Sequence, residues 1–323
     1  MINSNDQAAL NNISKDIPTG ITSMSHIFEQ KIGYVLEDDS LTALSLADCG
    51  LTYIPDSLRE LRRSLQKLNV GENQIASFDS ISELNLLSEL YIHSNHLTHL
   101  PDNINIPTLR ILDIADNRLT TLPQAIDSHF INLEILYVSY NQLASMPDTI
   151  GNLAHLQYLN VTNNQLMTLP HTIGNLDNLI ELRLYHNQLT ALPATIGNLS
   201  NLRELHLMDN KIASLPQTIG KLKNLRKLRL MDCQLSTVPE SISTMQKLQA
   251  LDLRNNQLTV LPESIGNLSQ LTELDLRGNR LVSLPVSIGA LPNLQKLDLR
   301  WNPLQISSQW LDPLVERDCL IYY

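Results

Sequence analysis

Residues Leu179 to Asn201 read LIELRLYHNQLTALPATIGNLSN, and the same pattern returns on both sides of this stretch. The shared form is LxxLxLxxNxLxxLPxxIGNLxx, with a period of 23 residues. Twelve copies occur, spaced 22 to 24 residues apart. They begin at Leu41, Leu65, Leu87, Leu109, Leu133, Leu156, Leu179, Leu202, Leu225, Leu248, Leu271 and Leu294. A fixed period in this range predicts stacked supersecondary units rather than a single globular core.

One copy shows why the units must stack. Leu182 and Leu184 alternate as a strand with one buried face requires, and Leu192, Pro193 and Ile196 close a coil back over them. A single coil cannot bury that apolar face alone, so neighbouring coils must bury it for each other.

The ninth position of the repeat is polar or small in every copy. Asparagine stands there at Asn73, Asn95, Asn117, Asn141, Asn164, Asn187, Asn210, Asn256, Asn279 and Asn302, and cysteine at Cys49 and Cys233. A buried amide in every coil needs hydrogen-bond partners, and the backbone groups of adjacent coils are the expected ones. We interpret the two cysteines as small buried residues.

These motifs resemble the leucine-rich-repeat family, and the LPxxIGNLxxL form resembles its 23-residue, Ras-suppressor-like subclass, which also occurs in plant intracellular proteins and bacterial effectors. The resemblance covers about four fifths of the chain. It implies an α/β fold, a right-handed curved solenoid or horseshoe with a parallel sheet on the concave face and short helical or extended segments on the convex face. It also implies a binding role for the concave side.

We predict one domain with four parts: a flexible segment at residues 1–22, a helical cap at 23–40, the twelve repeats at 41–304 and a second cap at 305–323. The first cap is predicted as a helix from Ser25 with one apolar side. That side holds Ile27, Phe28, Ile32, Val35 and Leu36. Two repeats depart from the pattern, at Asp79 after Phe78 and at 127–130 (DSHF), where we expect an altered convex side.

The C-terminal cap is predicted as a helix that starts at Asp312 with Pro313 at its first position. Its apolar residues should cover the last coil. They are Trp310, Leu311, Leu314 and Val315. The final ten residues, LVERDCLIYY, also loosely resemble the C-terminal signals of effectors exported by type IV systems; the alternative is a last apolar strip of the cap.

Composition limits the partner and the compartment. The 33 acidic and 23 basic residues give a formal net charge of -10, which argues against nucleic acid. With three cysteines, no basic and apolar leader, and no apolar run long enough to span a bilayer, we predict a soluble monomer without a membrane partner. We expect it to be cytoplasmic, or exported into a host cell without a signal peptide.

The third, fifth and seventh positions of each repeat are predicted to face the concave surface. Tyrosine, arginine and histidine gather there on the central coils, and these residue types anchor protein interfaces. We predict a partner-binding patch of Tyr91, Tyr137, Tyr140, Tyr158, Arg183, Tyr185, His186, His206 and Met208. The alternative is that the aromatic rings only pack on their neighbours.

A second group lies towards the C-terminus. Arg254, Arg277 and Arg300 form a column beside Asp252, Asp275 and Asp298. Two interpretations stay open. One is a salt-bridge ladder that keeps the sheet face soluble, and the other is a docking site for an acidic partner segment with Arg229 and Trp301 as extra anchors.

Catalytic and cofactor motifs are lacking. The sequence holds no P-loop, dinucleotide-binding or HExxH motif, and the triplet His93, His96 and His99 straddles a strand exit where the side chains should diverge, so we expect no metal or cofactor. The sequence therefore favours a non-enzymatic protein-protein interaction module. One form of this hypothesis is a bacterial effector that is exported and acts in a host cell. The alternative is an enzyme or enzyme subunit that uses the concave His and Tyr patch, provided that His186, His206 and a carboxylate converge in a pocket.

Overall fold

The computed structural model describes residues 2–17, 20–77, 81–101, 104–305 and 311–323. The expectations for Phe78, Asp79 and Trp310 fall outside these residues. The chain divides into two compact units, Met1–Leu156 and Gln157–Tyr323.

The first unit begins with an α-helix and then forms a sheet. Its α-helices are α1 (Ser4–Ile13) and α2 (Ile126–His129). Its strands are β1 (Thr22–Ser23), β2 (Ile32–Glu37), β3 (Ser40–Leu46), β4 (Lys67–Asn69), β5 (Glu89–Tyr91), β6 (Ile111–Asp113) and β7 (Ile135–Tyr137). The strands lie in chain order, and all neighbours pair in parallel except β2 and β3, which are antiparallel.

The second unit is more regular. Its strands are β8 (Tyr158–Asn160), β9 (Glu181–Arg183), β10 (Glu204–His206), β11 (Lys227–Arg229), β12 (Ala250–Asp252), β13 (Glu273–Asp275), β14 (Lys296–Asp298) and β15 (Leu320–Tyr322). They pair in parallel in chain order. The helix α3 (Asp312–Val315) precedes β15. The predicted solenoid with a parallel sheet is confirmed, because β3 to β14 place one strand in each of the twelve repeats.

Opposite the strands, most coils carry a short 3-10 helix that begins after the repeat proline. These helices span Asp56–Leu61, Asp148–Asn152, His171–Asn175, Ala194–Asn198, Gln217–Lys221, Glu240–Thr244, Glu263–Asn267 and Val286–Ala290. The preceding prolines are extended, as with Pro193 at φ -64° and ψ 148°. The glycine in this segment lets coils approach closely, because a Cβ at Gly197 would collide with the backbone oxygen of Thr218 in the next coil. In the coil with the DSHF sequence an α-helix, α2, replaces the 3-10 helix, as expected for an altered convex side.

The repeat leucines fill the interior. Leu179, Leu182, Leu184, Leu189 and Ile196 of one coil are completely buried. Burying a leucine or isoleucine side chain contributes about 1.5–3 kcal/mol, so each added coil brings a stabilising interface with its neighbours.

Asn187 shows how the asparagine position joins coils. Its Nδ2 donates to the carbonyl oxygens of Val161, Leu184 and Tyr185 at 2.9, 3.0 and 3.4 Å, and its Oδ1 accepts from the backbone N–H of Leu166 at 3.0 Å. Val161 and Leu166 belong to the preceding coil. One amide therefore closes its own turn and binds the coil before it, as predicted.

The two cysteines at this position are buried, as predicted. The Cys233 Sγ donates to the carbonyl oxygen of Leu207 at 3.1 Å, which replaces one bond of the amide. Burial raises the pKa of the Cys233 thiol to about 12, so the thiol is protonated near neutral pH.

The predictions for the N-terminal segment were wrong. Residues 4–13, expected to be flexible, form α1, and residues 32–37, expected to be helical, form β2. Asp38 and Asp39 have φ values of 49° and 64° and form a two-residue hairpin turn between β2 and β3. Two consecutive residues with positive φ match the twist of paired strands, and aspartate tolerates that conformation better than most residues. The hairpin therefore replaced the predicted helix.

Helix α1 covers the first coil instead. Its buried residues include Ala9, Leu10 and Ile13. The Asp6 carboxylate accepts hydrogen bonds from the backbone N–H of Leu41 at 2.7 Å and from Ser64 Oγ at 3.0 Å. The predicted cap therefore exists, but its helix is formed from the segment expected to be flexible.

At the C-terminus, α3 starts at Asp312 with Pro313 in its first turn, as predicted. Leu311 and Leu314 are buried, but Val315 is 58% exposed and does not cover the last coil as expected. No α-helix within the described ranges has the length and apolarity needed to cross a membrane.

We expect Asn187→Ala to lower the free energy of unfolding by about 1–3 kcal/mol, because it leaves buried backbone groups without partners. Urea unfolding followed by circular dichroism measures this change. The matched control is Asn175→Ala, which truncates an exposed asparagine of the neighbouring coil and should have little effect. Equal stability of the two variants would contradict a structural role for the amide.

Candidate functional site

Strand register arranges the sheet face of the second unit in three rows. We define this sheet face as the side chains at the third, fifth and seventh repeat positions, together with the side chains of His186, Trp301 and Tyr322 that contact them. The third-position row is Tyr158, Glu181, Glu204, Lys227, Ala250, Glu273 and Lys296, and the fifth-position row is Asn160, Arg183, His206, Arg229, Asp252, Asp275 and Asp298. The two rows flank the buried central leucine of each strand, so their side chains share one face.

At one side of this face, aromatic and basic side chains contact each other. The Arg183 guanidinium carbon lies 5.5 Å from the Tyr158 ring centroid, and its Nε donates to Glu181 Oε1 at 2.5 Å. The Tyr185 ring packs edge-on against His186 with centroids 5.5 Å apart. The structure therefore joins four of the predicted binding residues in two contacting pairs, Tyr158 with Arg183 and Tyr185 with His186.

His206 is the most buried of the predicted binding residues on this face. Its Nε2 lies 3.1 Å from Glu204 Oε2 and 3.8 Å from Glu181 Oε1, while Lys227 Nζ lies 2.9 Å from Glu204 Oε1. Burial lowers the pKa of His206 despite the opposing hydrogen bond with Glu204, so the neutral imidazole is favoured near pH 7. Within the described ranges, one set of three or more His, Cys, Asp and Glu side chains lies close enough together to share a metal ion. That set is Glu181, Glu204 and His206.

The predicted columns of arginine and aspartate form a salt-bridge ladder. Each arginine makes a two-point contact with the aspartate of its own strand, with distances of 2.8 and 2.7 Å for Arg254 and Asp252. Neighbouring strands are joined as well, since Arg254 Nε lies 3.5 Å from Asp275 Oδ2 and Arg277 Nε lies 3.3 Å from Asp298 Oδ2. Ion pairs within and across strands are therefore present, as the ladder interpretation predicts.

Asp298 is the most buried carboxylate of the ladder. Burial alone would raise its pKa, but hydrogen bonds from the side chain and backbone of Arg300, together with the charges of Arg277 and Arg300, hold the pKa below its ordinary value. Asp298 is therefore ionised at neutral pH and fixes the arginines on both sides.

Arg229, at the start of this region, is exposed. Among the described residues it makes no ion pair within 4.0 Å, unlike the three ladder arginines. Met208, in the seventh-position row beside it, is half-buried. Both are accessible to a partner.

The ladder ends in an aromatic contact. The Arg300 guanidinium carbon lies 5.7 Å from the Trp301 ring centroid and 5.1 Å from that of Tyr322. Its Nε and second terminal nitrogen donate to Asp298 at 2.9 and 2.7 Å. We call Arg300, Trp301 and Tyr322 the aromatic clamp. Trp301 is 72% exposed.

The eighth position of every repeat has a left-handed backbone. Positive φ occurs at Asp48, Glu72, Ser94, Asp116, Tyr140, Asn163, His186, Asp209, Asp232, Asn255, Gly278 and Trp301. Glycine, asparagine and aspartate adopt this conformation most readily, and a bulky side chain there is unusual. Tyr140 and Trp301 are therefore unfavourable choices for the backbone alone, whereas histidine, as at His186, is better tolerated.

The first unit contains the other predicted tyrosines. Tyr91 donates to Glu89 Oε2 at 2.8 Å, and its ring packs edge-on against Phe28 with centroids 4.8 Å apart. Tyr137 is half-buried and Tyr140 is 60% exposed. A Cβ added to Gly71 would lie only 2.6 Å from His93 Nε2, so the His93 ring packs directly against Gly71 of the preceding coil. This contact directs the His93 ring to the preceding coil and not to His96 and His99.

Sequence reasoning missed Tyr322 and the two glutamates at His206. Glu181 and Glu204 lie at the third repeat position, one of the three positions predicted to face the concave surface. Comparing the third-position column with the fifth and seventh would have identified both glutamates beside His206. Tyr322 lies beyond the last repeat, where the period gives no register, and only the pairing of β15 with β14 places it opposite Asp298.

Comparisons with known proteins agree with this architecture. The family described as "Leucine-rich repeat region" matches residues 129–231 and 214–312. The zebrafish (Danio rerio) transforming growth factor beta activator LRRC33 is 33% identical over 107 residues, which is 26% of this chain and 16% of that protein. The chain therefore spans about a sixth of that relative's length.

Solved structures match over longer ranges. A leucine-rich-repeat protein of Leptospira interrogans is 26% identical with a TM-score of 0.60, and the match covers 100% of both chains. The plant peptide hormone receptor RGFR1, solved in complex with RGF2, is 25% identical with a TM-score of 0.62 over 84% of this chain and 51% of that one.

We expect Asp298→Asn to lower the free energy of unfolding at pH 7 by about 1.5–3 kcal/mol, because charge-assisted hydrogen bonds are lost. A carboxylate with a lowered folded-state pKa stabilises the fold above its ordinary pKa near 3.8. That stabilisation is lost as the pH falls through the lower, folded-state pKa. The variant should lack this part of the pH dependence.

Urea unfolding at pH 7 and at several pH values below 4 tests this expectation. The control is Asp177→Asn, which neutralises an exposed aspartate of the same unit. If Asp298→Asn and the control have the same stability at every pH, the ladder does not stabilise the unit.

Proposed function

Because the chain belongs to the leucine-rich-repeat family, we propose that it is a non-enzymatic module that binds a protein partner on its sheet face, the concave side of the family's fold. Leucine-rich repeats commonly serve in protein-protein interaction. RGFR1, whose structure resembles this chain, was solved in complex with RGF2, and this supports a protein or peptide partner here.

The observation that carries the proposal is the aromatic clamp. Trp301 has a φ of 61° and a mostly exposed ring, where the corresponding residues of the other second-unit repeats are mainly Asp, Asn or Gly. A large side chain in this conformation costs backbone energy, and an exposed ring returns little by burial. The fold does not require tryptophan at this position, so we assign it to binding.

The clamp also has the composition of an interface anchor. Trp, Tyr and Arg dominate interface hot spots. Asp298 holds Arg300 by two hydrogen bonds, and Arg300 lies against both rings. Because the side chains are ordered before binding, a partner would immobilise fewer rotamers. Under this proposal, a second anchor on the same face consists of the two contacting pairs, Tyr158 with Arg183 and Tyr185 with His186.

The enzyme alternative depended on His186 and His206 sharing a carboxylate. His186 Nδ1 lies 3.5 Å from Asp209, whereas His206 Nε2 contacts Glu204. The two histidines are thus held in separate pairs. This arrangement favours the binding module over the enzyme.

We expect Trp301→Asp to reduce affinity for peptides selected on the wild-type protein from a display library by at least about thirtyfold, equivalent to a hot spot of about 2 kcal/mol. Stability should be unchanged or slightly higher, because aspartate tolerates a positive φ better than tryptophan. Titration calorimetry and thermal melts measure the two effects.

The matched control is Val286→Asp, which places the same charge at a 67% exposed residue in the row of 3-10 helices. It should retain full affinity. If peptides bind Trp301→Asp as tightly as the wild type, the aromatic clamp is not part of the binding site. If the control loses affinity instead, the binding site does not lie on the sheet face.

A narrower proposal is that the module is an effector exported into a host cell through the C-terminal sequence LVERDCLIYY. Its support is the exposure of Leu320 and Tyr323. Deletion of residues 320–323 would not be a clean test, because Leu320–Tyr322 pair with β14.

We expect the double variant Leu320→Ser, Tyr323→Ser to lose translocation of a fused reporter from a bacterium with a type IV system, with little change in melting temperature. The control is Val315→Ser, which alters an exposed apolar residue of the same segment. Equal translocation of all three proteins would contradict export through this sequence.

A further inference from the structure

We propose that Glu181, Glu204 and His206 form a binding site for a divalent transition-metal ion of the zinc type. The proposal is independent of protein binding at the aromatic clamp. The three side chains come from the adjacent strands β9 and β10, and one potential ligand atom from each lies within 4.8 Å of the others.

The distances suit a shared ion. His206 Nε2 lies 3.1 Å from Glu204 Oε2 and 3.8 Å from Glu181 Oε1. Zinc binds imidazole nitrogen and carboxylate oxygen at about 2.0–2.2 Å, so two ligand atoms on one ion lie roughly 3–4 Å apart. Small side-chain movements would therefore complete the site, and the backbone can stay in place.

The sheet register brings two carboxylates together here. Glu181 and Glu204 are direct partners in neighbouring strands. In the third-position row of the described second-unit strands, they are the only adjacent pair of like charge. Elsewhere in this row, Glu204 faces Lys227 and Glu273 faces Lys296. Like charges directly opposite each other are destabilising, and a shared cation relieves the repulsion.

His206 supplies the group that selects a transition metal. Its imidazole is largely buried with Nε2 directed at both carboxylates. Imidazole nitrogen is a common zinc ligand, so His206 adds a nitrogen donor to the two carboxylates. Magnesium prefers oxygen ligands, so it should not compete well.

Two protein cations now occupy the carboxylates. Arg183 Nε contacts Glu181 Oε1, and Lys227 Nζ contacts Glu204 Oε1. Lys227 uses the glutamate oxygen that faces away from His206, and its side chain is 42% exposed, so it can turn to solvent when an ion binds. A bound ion must compete with both cations, and removing one should therefore strengthen metal binding.

This competition gives the decisive test. Calorimetric titration of the full chain with zinc chloride should show one ion per chain. His206→Ala and Glu204→Gln should weaken binding by at least about tenfold, the scale of effect that even outer-shell residues of metal sites produce. Lys227→Met should instead tighten it, because the lysine no longer competes for Glu204. Lys221→Met, which removes the same charge at an exposed residue in the row of 3-10 helices, should leave the affinity nearly unchanged, so general attraction of zinc to a more negative chain is distinguished from competition at the site.

His171→Ala is the matched control, because His171 is an exposed histidine of the same unit that lies in the row of 3-10 helices and not on the sheet face. This variant should bind zinc like the wild type, and magnesium chloride should give no comparable titration. Thermal melts check that each variant is folded. If Glu204→Gln fails to fold, the zinc affinities of His206→Ala and Lys227→Met still test the proposal. Absence of a site, binding unaffected by His206→Ala, or weaker binding in Lys227→Met would overturn the proposal.

Discussion

The asparagine amide that spans two coils is the interaction on which the architecture depends. A strand that ends inside a stacked coil leaves carbonyl and N–H groups buried without partners, and each costs about 1–3 kcal/mol if unsatisfied. The Asn187 amide satisfies groups of its own coil and of the preceding one with four hydrogen bonds. Since its partners are backbone atoms, every coil has the same need whatever its other side chains are, and this explains why the ninth position recurs while the sheet-face positions vary.

This backbone solution leaves the sheet face free to vary, but the face has a constraint of its own. Parallel strands in register place equal repeat positions opposite each other, so a recurring charge becomes a column of like charges. The protein meets this in two ways. Between β12 and β14, arginine two residues after each aspartate pairs within and across strands. At Glu181 and Glu204, the neutralising groups are instead Arg183 and Lys227, with His206 between the carboxylates.

The sequence was sufficient for the periodic part of the fold, because the same pattern repeated twelve times leaves one register for the strands. The buried leucines, the asparagine bonds and the ladder of Arg254 and Asp252 all follow from that register. It was insufficient where the period stops. The stretch after Ser25 has apolar residues at helical spacing, yet pairing with β3 through the turn at Asp38 and Asp39 gives strand β2. The Glu181, Glu204 and His206 cluster follows from the same register, but only when the third-position column is read beside the fifth. Tyr322 depended on a strand outside the repeats.

The eighth position separates what the fold needs from what it does not. The repeat requires a positive φ there, at a cost of roughly 1–2 kcal/mol for an ordinary side chain. Asp, Asn and Gly reduce that cost in most coils. His186 recovers part of it through Tyr185 and Asp209, and Trp301 through Arg300. The Trp301 contact leaves most of the ring in solvent, however, so its apolar surface is not used by the coil. An aromatic ring retained at an unfavourable backbone position and left uncovered is better explained by a partner than by the solenoid.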